Sequence, residues 1–188
     1  MKTSLVATMK KAAAAAAVLL AMFFFVADSF GASAQQIDIE VDVTLQEFAK
    51  EVRGGGTFLA KAEGVLVFPK VIKAGFVVGG EYGEGALRIG GKTVHYYNTA
   101  GASFGFQLGA QVKTLVIVFL DQGALQRFIN SEGWEAGVDG SVAIAQWGVG
   151  EDLSSTEFAD PIIAFVFNNK GLMYNLTIEG AKFTRIVR

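Results

Sequence analysis

A strand-rich α+β domain, made of one curled antiparallel sheet or barrel-like core carrying two or three helices, is what the sequence predicts, on three observations. Glycine makes up 22 of the 154 residues after Ala34, about 14% against an ordinary level of roughly 7%. These glycines separate short apolar runs, as turn and bulge residues do in a small β architecture. Several of those runs alternate apolar and polar residues with the period of two that a half-buried strand requires, while only a few segments keep helical spacing. Eight or nine strands fit that pattern.

Residues 1–34 have the layout of a secretory signal peptide. Lys2, Lys10 and Lys11 form a basic start, Ala12 to Ala27 is an uninterrupted run of 16 apolar residues, and Ala32-Ser33-Ala34 is a small-x-small cleavage pattern. As a helix, 16 residues would span roughly 24 Å, short of the ~30 Å hydrocarbon core, so cleavage before Gln35 is expected rather than anchoring. Residues 35–188 then form a single domain, mainly helical over 35–63 and mainly β over 64–188, in the periplasm or secreted, with peripheral membrane association open to it.

Ile37, Val41, Leu45, Phe48 and Val52 share one helical stripe, although Gln36 to Val43 also alternates with period two. Thr44 and Glu47 match a capping box, so a helix is expected over at least Leu45 to Arg53, ended by Gly54-Gly55-Gly56, with its start left open. Thr57 to Glu63 fits a second short helix stopped by Gly64. Val65 to Phe68 reads as a strand that Pro69 interrupts or edges. Gly75 to Gly80 is a further strand candidate, followed by a glycine-rich loop, Glu81 to Gly85. Ala86 to Ile89 and Thr93 to Tyr97 should pair as a hairpin about Gly90-Gly91. Ala102 to Leu108 alternates cleanly, and Lys113 to Leu120 is apolar enough to be buried on both faces. Asp121 suits the N-cap of a helix over Gln122 to Asn130. Val138, Ala143 and Trp147 fall in another β region, and Glu151 to Asp160 reads as a surface loop. Pro161 to Phe167 and Leu172 to Ile178 form a hairpin about Asn168 to Gly171, and Phe183, Ile186 and Val187 a last strand.

Composition excludes several functions. Without the first 34 residues, 13 basic side chains face 17 acidic ones, so a basic domain that grips nucleic acid is not expected. The chain has no cysteine, which removes disulfides, zinc-thiolate sites, a cysteine nucleophile and lipid attachment at a first mature cysteine. Nothing in the sequence asks for a cofactor.

The stretches Ala62-Glu63-Gly64-Val65-Leu66-Val67-Phe68-Pro69, Lys73-Ala74-Gly75-Phe76 and Gly79-Gly80-Glu81-Tyr82-Gly83-Glu84-Gly85 carry a resemblance. It continues through Tyr96-Tyr97, Ser103-Phe104-Gly105, Gly109-Ala110-Gln111, Gly133-Trp134-Glu135 and Gly171-Leu172-Met173-Tyr174. In these segments, from about Ala49 to Ile186, the chain resembles the SYLF domain family, described as lipid-binding and related to an actin regulator of fungi. The resemblance implies phosphoinositide binding, in some members actin bundling, through an amphipathic N-terminal region and basic residues. Here that region is acidic, with Asp38, Glu40, Asp42, Glu47 and Glu51 against Lys50 and Arg53, which repels anionic headgroups.

Lys70 and Lys73 flank Val71 and Ile72 after Pro69, a grouping suited to a shallow lipid contact in which apolar side chains enter the interface and ammonium groups meet phosphates. Arg88, Lys92 and Lys113 would complete the patch if folding gathers them; solvated lysines guarding an edge strand are the plainer alternative. Glu81 and Glu84 are the best paired carboxylates, for acid–base work, a divalent cation or simply loop structure. The loop that holds them lacks both the P-loop ending and the dinucleotide spacing. His95 is the only histidine, so no histidine pair can bind a metal and no catalysis is expected from it. Phe104 and Phe106 read as core, and Trp134 and Trp147 as rim candidates. Asn175-Leu176-Thr177 matches a glycosylation acceptor inside an expected strand. The function this supports is a non-enzymatic exported module that meets anionic lipid headgroups or an envelope protein. The alternative is a structural or protein-binding module acting as a homo-oligomer.

Overall fold

The computed structural model describes residues 31–75, 78–104, 109–146, 160–171, 178 and 180–188. Three helices lie among them, α1 (Ala34–Glu51), α2 (Gly55–Lys61) and α3 (Gln122–Asn130). The strands are β1 (Gly64–Gly75), β2 (Val78–Ile89), β3 (Lys92–Phe104), β4 (Gly109–Phe119), β5 (Trp134–Glu135), β6 (Ala143–Gln146), β7 (Ile162–Gly171) and β8 (Lys182–Ile186). They form one curled eight-stranded sheet in the order β5-β8-β3-β2-β1-β4-β7-β6. Every pair is antiparallel except β6 with β7, so the sheet is mixed rather than wholly antiparallel.

Two apolar layers sandwich the sheet. On the concave face, the Phe68 and Phe183 rings lie 5.5 Å apart although two strands separate β1 from β8. That closeness requires curvature, since adjacent strands are spaced by roughly 4.8 Å. α3 closes this face: Phe128 stacks on Tyr97 and Phe119 at 5.0 Å each and meets Trp134 at 5.7 Å. Trp134 is thus core, where the sequence suggested a rim. On the outer face, Phe48 of α1 and Phe58 of α2 each meet Phe165 of β7 at 4.9 Å.

α1 begins at Ala34, capped by the Ser33 hydroxyl, which accepts from Gln36 N at 3.2 Å. Thr44 is therefore no cap; its hydroxyl donates to Glu40 O inside the helix at 2.8 Å. Both periods fit this segment, and burial of Ile37, Val41, Thr44 and Phe48 against the sheet selects the helical one. The chain turns into α2 at Gly54, whose φ of 77° only glycine adopts freely. Two acidic residues of α1, Asp38 and Asp42, have an internal task. Arg88 of β2 donates to Asp42 Oδ1 at 2.8 Å and to Asp38 O at 3.1 Å, while Thr93 and Tyr96 of β3 donate to the Asp38 carboxylate at 2.6 and 2.9 Å.

Pro69 does not end β1. The strand passes through a bulge there, with registers slipping between Val67 and Lys70 and between Phe68 and Val71, and Thr114 donates to Pro69 O at 3.1 Å. The glycine-rich loop expected over Glu81 to Gly85 is the middle of β2. Gly85 is required there because a Cβ would lie 1.9 Å from Val67 O and 2.8 Å from the Phe68 ring. The hairpin at Gly90-Gly91 forms as expected, with φ of 56° and 77°. β4 is buried from Lys113 to Phe119, and α3 has the expected ends, with Asp121 accepting from Ala124 N at 2.8 Å. Ile162 to Gly171 is one strand, so the turn expected over Asn168 to Gly171 is instead an irregularity in β7, with Asn168 at a φ of 53°. Phe106, Trp147, most of the 151–160 loop and the Asn175 pattern lie outside the described residues.

Candidate functional site

Strand geometry separates the basic residues. Lys70 and Lys73 are three positions apart in β1 and so lie on opposite faces. Lys70 is exposed on the outer face, whereas Lys73, 4% exposed, shares the concave face with buried Val71. Arg88 is committed to Asp38 and Asp42 beneath α1. Lys92 opens β3 at the hairpin turn and is exposed, yet it pairs with Ile89, five residues along β2 from Glu84, the partner of Lys70. At about 3.3 Å per residue that is roughly 17 Å away. The four do not converge on one surface.

Glu81 and Glu84 are also three apart in a strand and face opposite ways. Glu81 lies on the concave face over Gly101 and accepts from Lys113 Nζ at 2.9 Å; the ammonium of that pair is 1% exposed. Glu84 lies on the outer face, where the Arg188 guanidinium and the Tyr82 hydroxyl, the latter at 2.7 Å, donate to it. Burial and the bond to Glu84 push the Tyr82 phenol up to about 12, so it is neutral at physiological pH. Two carboxylates on opposite sides of a sheet cannot act on one bond, so the acid–base pairing suggested by their spacing is not formed. His95 sits on β3, its pKa lowered by partial burial and then by Arg185. No cluster of three or more histidine and carboxylate ligands occurs among the described residues.

The structure instead assembles an outer-face surface. α1 crosses that face from Arg88 at the β2–β3 hairpin to Phe165 and Asn168 on β7. Among the described residues, no element covers the far halves of β1, β2 and β3 on this face. There, cross-strand pairing aligns Lys182 of β8, Ala100 of β3, Tyr82 of β2 and Ile72 of β1 in one row. Ile72 is 45% and Tyr82 48% exposed, and Ala100 and Lys182 are exposed beside them. A second row, Ala102, Gly80, Ala74 and Ala110, is likewise exposed and flat. Lys70 stands one pair from Ile72 on the same face. The result is an apolar surface with a lysine at each of two margins, each opposite a glutamate in register, Lys70 by Glu84 and Lys182 by Glu135.

Of this surface, Lys70 and Ile72 were legible in the sequence. Tyr82 was hidden in a segment read as a loop. Lys182, more than a hundred residues from Ile72 in sequence, joins only through the β8–β3 register, which no local signal encodes. A separate hollow of about 320 Å³ lies beside Gly137, Asp139, Val142 and Ile144. Its carboxylate, Asp139, accepts from Glu135 N at 2.7 Å and holds the turn.

The family model described as Ysc84, Las17-binding protein actin regulator, matches residues 100–186, from the second half of β3 to the end of β8. No curated protein matches the chain. The matched segment includes Ala100 and Lys182 of the outer-face row, while Lys70, Ile72 and Tyr82 precede it.

Proposed function

We propose that the protein, whose residues 100–186 match the family model described as Ysc84, Las17-binding protein actin regulator, is a non-enzymatic exported module that lies against lipid surfaces of the cell envelope. The observation that carries this reading is the uncovered row Lys182, Ala100, Tyr82 and Ile72, with Lys70 beside it. Ile72 and the Tyr82 ring enter the boundary between headgroups and acyl chains, and the flanking ammonium groups meet phosphates. Export rests on the basic start, apolar run and cleavage pattern of residues 2–34. It also removes the protein from cytosolic actin, so the family's cytoskeletal title is not carried over.

The acidic α1 fits this reading. Asp38 and Asp42 turn toward Arg88, Thr93 and Tyr96, so the helix serves to close the sheet and the membrane contact passes to strands. Oligomerisation by strand addition is less well supported. Among the described residues the sheet edges are β5 and β6, two and four residues long, and such short edges offer little template for pairing.

Co-sedimentation of the purified protein with vesicles tests the proposal. Binding is expected to vesicles containing anionic lipid and to weaken with salt. Each lysine near an anionic surface contributes about 1 kcal/mol, so Lys70→Glu with Lys182→Glu should weaken binding roughly 30-fold or more. Lys92→Glu, at the other end of the hairpin, should leave it within about threefold. Absence of binding to neutral and anionic vesicles alike would sink the lipid reading, and full binding by the double variant would reject this surface.

A further inference from the structure

The concave face carries a polar end that the outer-face contact does not use. One cross-strand row there reads Gly101, Glu81, Lys73 and Gln111 through β3, β2, β1 and β4. Lys113 and Thr99 stand in the adjoining row. Lys73, Lys113, Gln111 and Thr99 are all buried. Two ammonium groups therefore share a low-dielectric space with one carboxylate among the described residues. That carboxylate is committed to Lys113 at 2.9 Å, so among the described residues one positive charge has no ion pair. An uncompensated buried ammonium is costly and calls for an anion.

Two further observations point to a ligand. The Thr99 hydroxyl is fully buried and has no hydrogen-bond partner, although buried hydroxyls ordinarily find one. One row farther toward the sheet end, Gly79, Gly75 and Gly109 stand in register on β2, β1 and β4. Three adjacent positions there carry no side chain beside Lys73.

We propose that the polar end of the concave face binds an oxyanion, a carboxylate or phosphate group, which accepts from Lys73 Nζ and Thr99 Oγ1 while Glu81 holds Lys113 in place. The group can be a free ion or the acidic head of an amphiphile. The site lies across the sheet from the outer-face surface, so loss of vesicle binding and loss of anion binding report on different claims.

The test is the thermal midpoint of the purified protein titrated with phosphate, acetate and octanoate, against chloride at matched ionic strength. A saturable rise of several degrees with at least one oxyanion is expected, absent in Lys73→Met and displaced about tenfold to higher concentration in Thr99→Val. Octanoate binding at least tenfold tighter than acetate or phosphate would assign the head of an amphiphile; comparable binding would assign a free ion. No oxyanion exceeding chloride would overturn the proposal, as would a shift kept intact in both variants. Should Lys73→Met fail to fold, Thr99→Val, which exchanges a hydroxyl for a methyl, decides alone.

Discussion

Glu81→Ala is expected to destabilise the fold by about 3–5 kcal/mol, the usual cost of removing one partner from a buried ion pair. Lys113 is 1% exposed and its ammonium meets Glu81 at 2.9 Å, with Lys73 on the same face. Without the carboxylate, two ammonium groups repel each other in a site that water hardly reaches. For a domain of this size the loss amounts to about 10 °C in Tm. The loss comes from an unmatched charge rather than from the absence of a salt bridge, so Glu81→Leu combined with Lys113→Met should recover most of the stability. Chemical denaturation of the three proteins measures this. A single variant within about 1 kcal/mol of the wild type would show that Lys113 is solvated, contrary to the burial described.

Phe165→Ala should cost a similar amount, about 3–5 kcal/mol, as large-to-small changes in a packed core do. Its ring is the common partner of Phe48 and Phe58, each at a centroid distance of 4.9 Å. Truncation opens a cavity that both helices border. Amide exchange should therefore accelerate through α1 and α2 well before the β2–β3 hairpin, which is held by its own register and turn. Uniform acceleration in helices and hairpin alike would show that the outer layer does not open as a separate unit.

Local signals made part of this architecture readable. Asp121 before an amphipathic stretch, Gly90-Gly91 between two alternating runs and the apolar segment from Lys113 each specify their structure within a few residues. The misread parts depend on packing. Ile37-Asp38-Ile39-Glu40-Val41 satisfies both the helical and the strand period, and only burial of Ile37 and Val41 against the sheet, with Asp38 reaching Thr93 and Tyr96, decides it. Glu81 to Gly85 has the composition of a loop, yet its glycines let Val71 and Phe68 of the bulged β1 lie across β2. The same bulge returns Val71 and Lys73 to the face of Leu66 and Phe68, turning inward a lysine that the sequence suggested as a surface group. Fold class followed from repeated local patterns. The site depended on register, which is settled by contacts distant in sequence.

The central claim is that strands rather than the N-terminal helix meet the lipid. The cysteine-free chain allows a single Ile72→Cys or Ile39→Cys to carry an environment-sensitive fluorophore, position 72 on the outer-face row and position 39 on the exposed side of α1. Upon addition of anionic vesicles, the account predicts a blue shift and protection from aqueous quencher at position 72, with position 39 unchanged. A blue shift at position 39 with none at position 72 would contradict it.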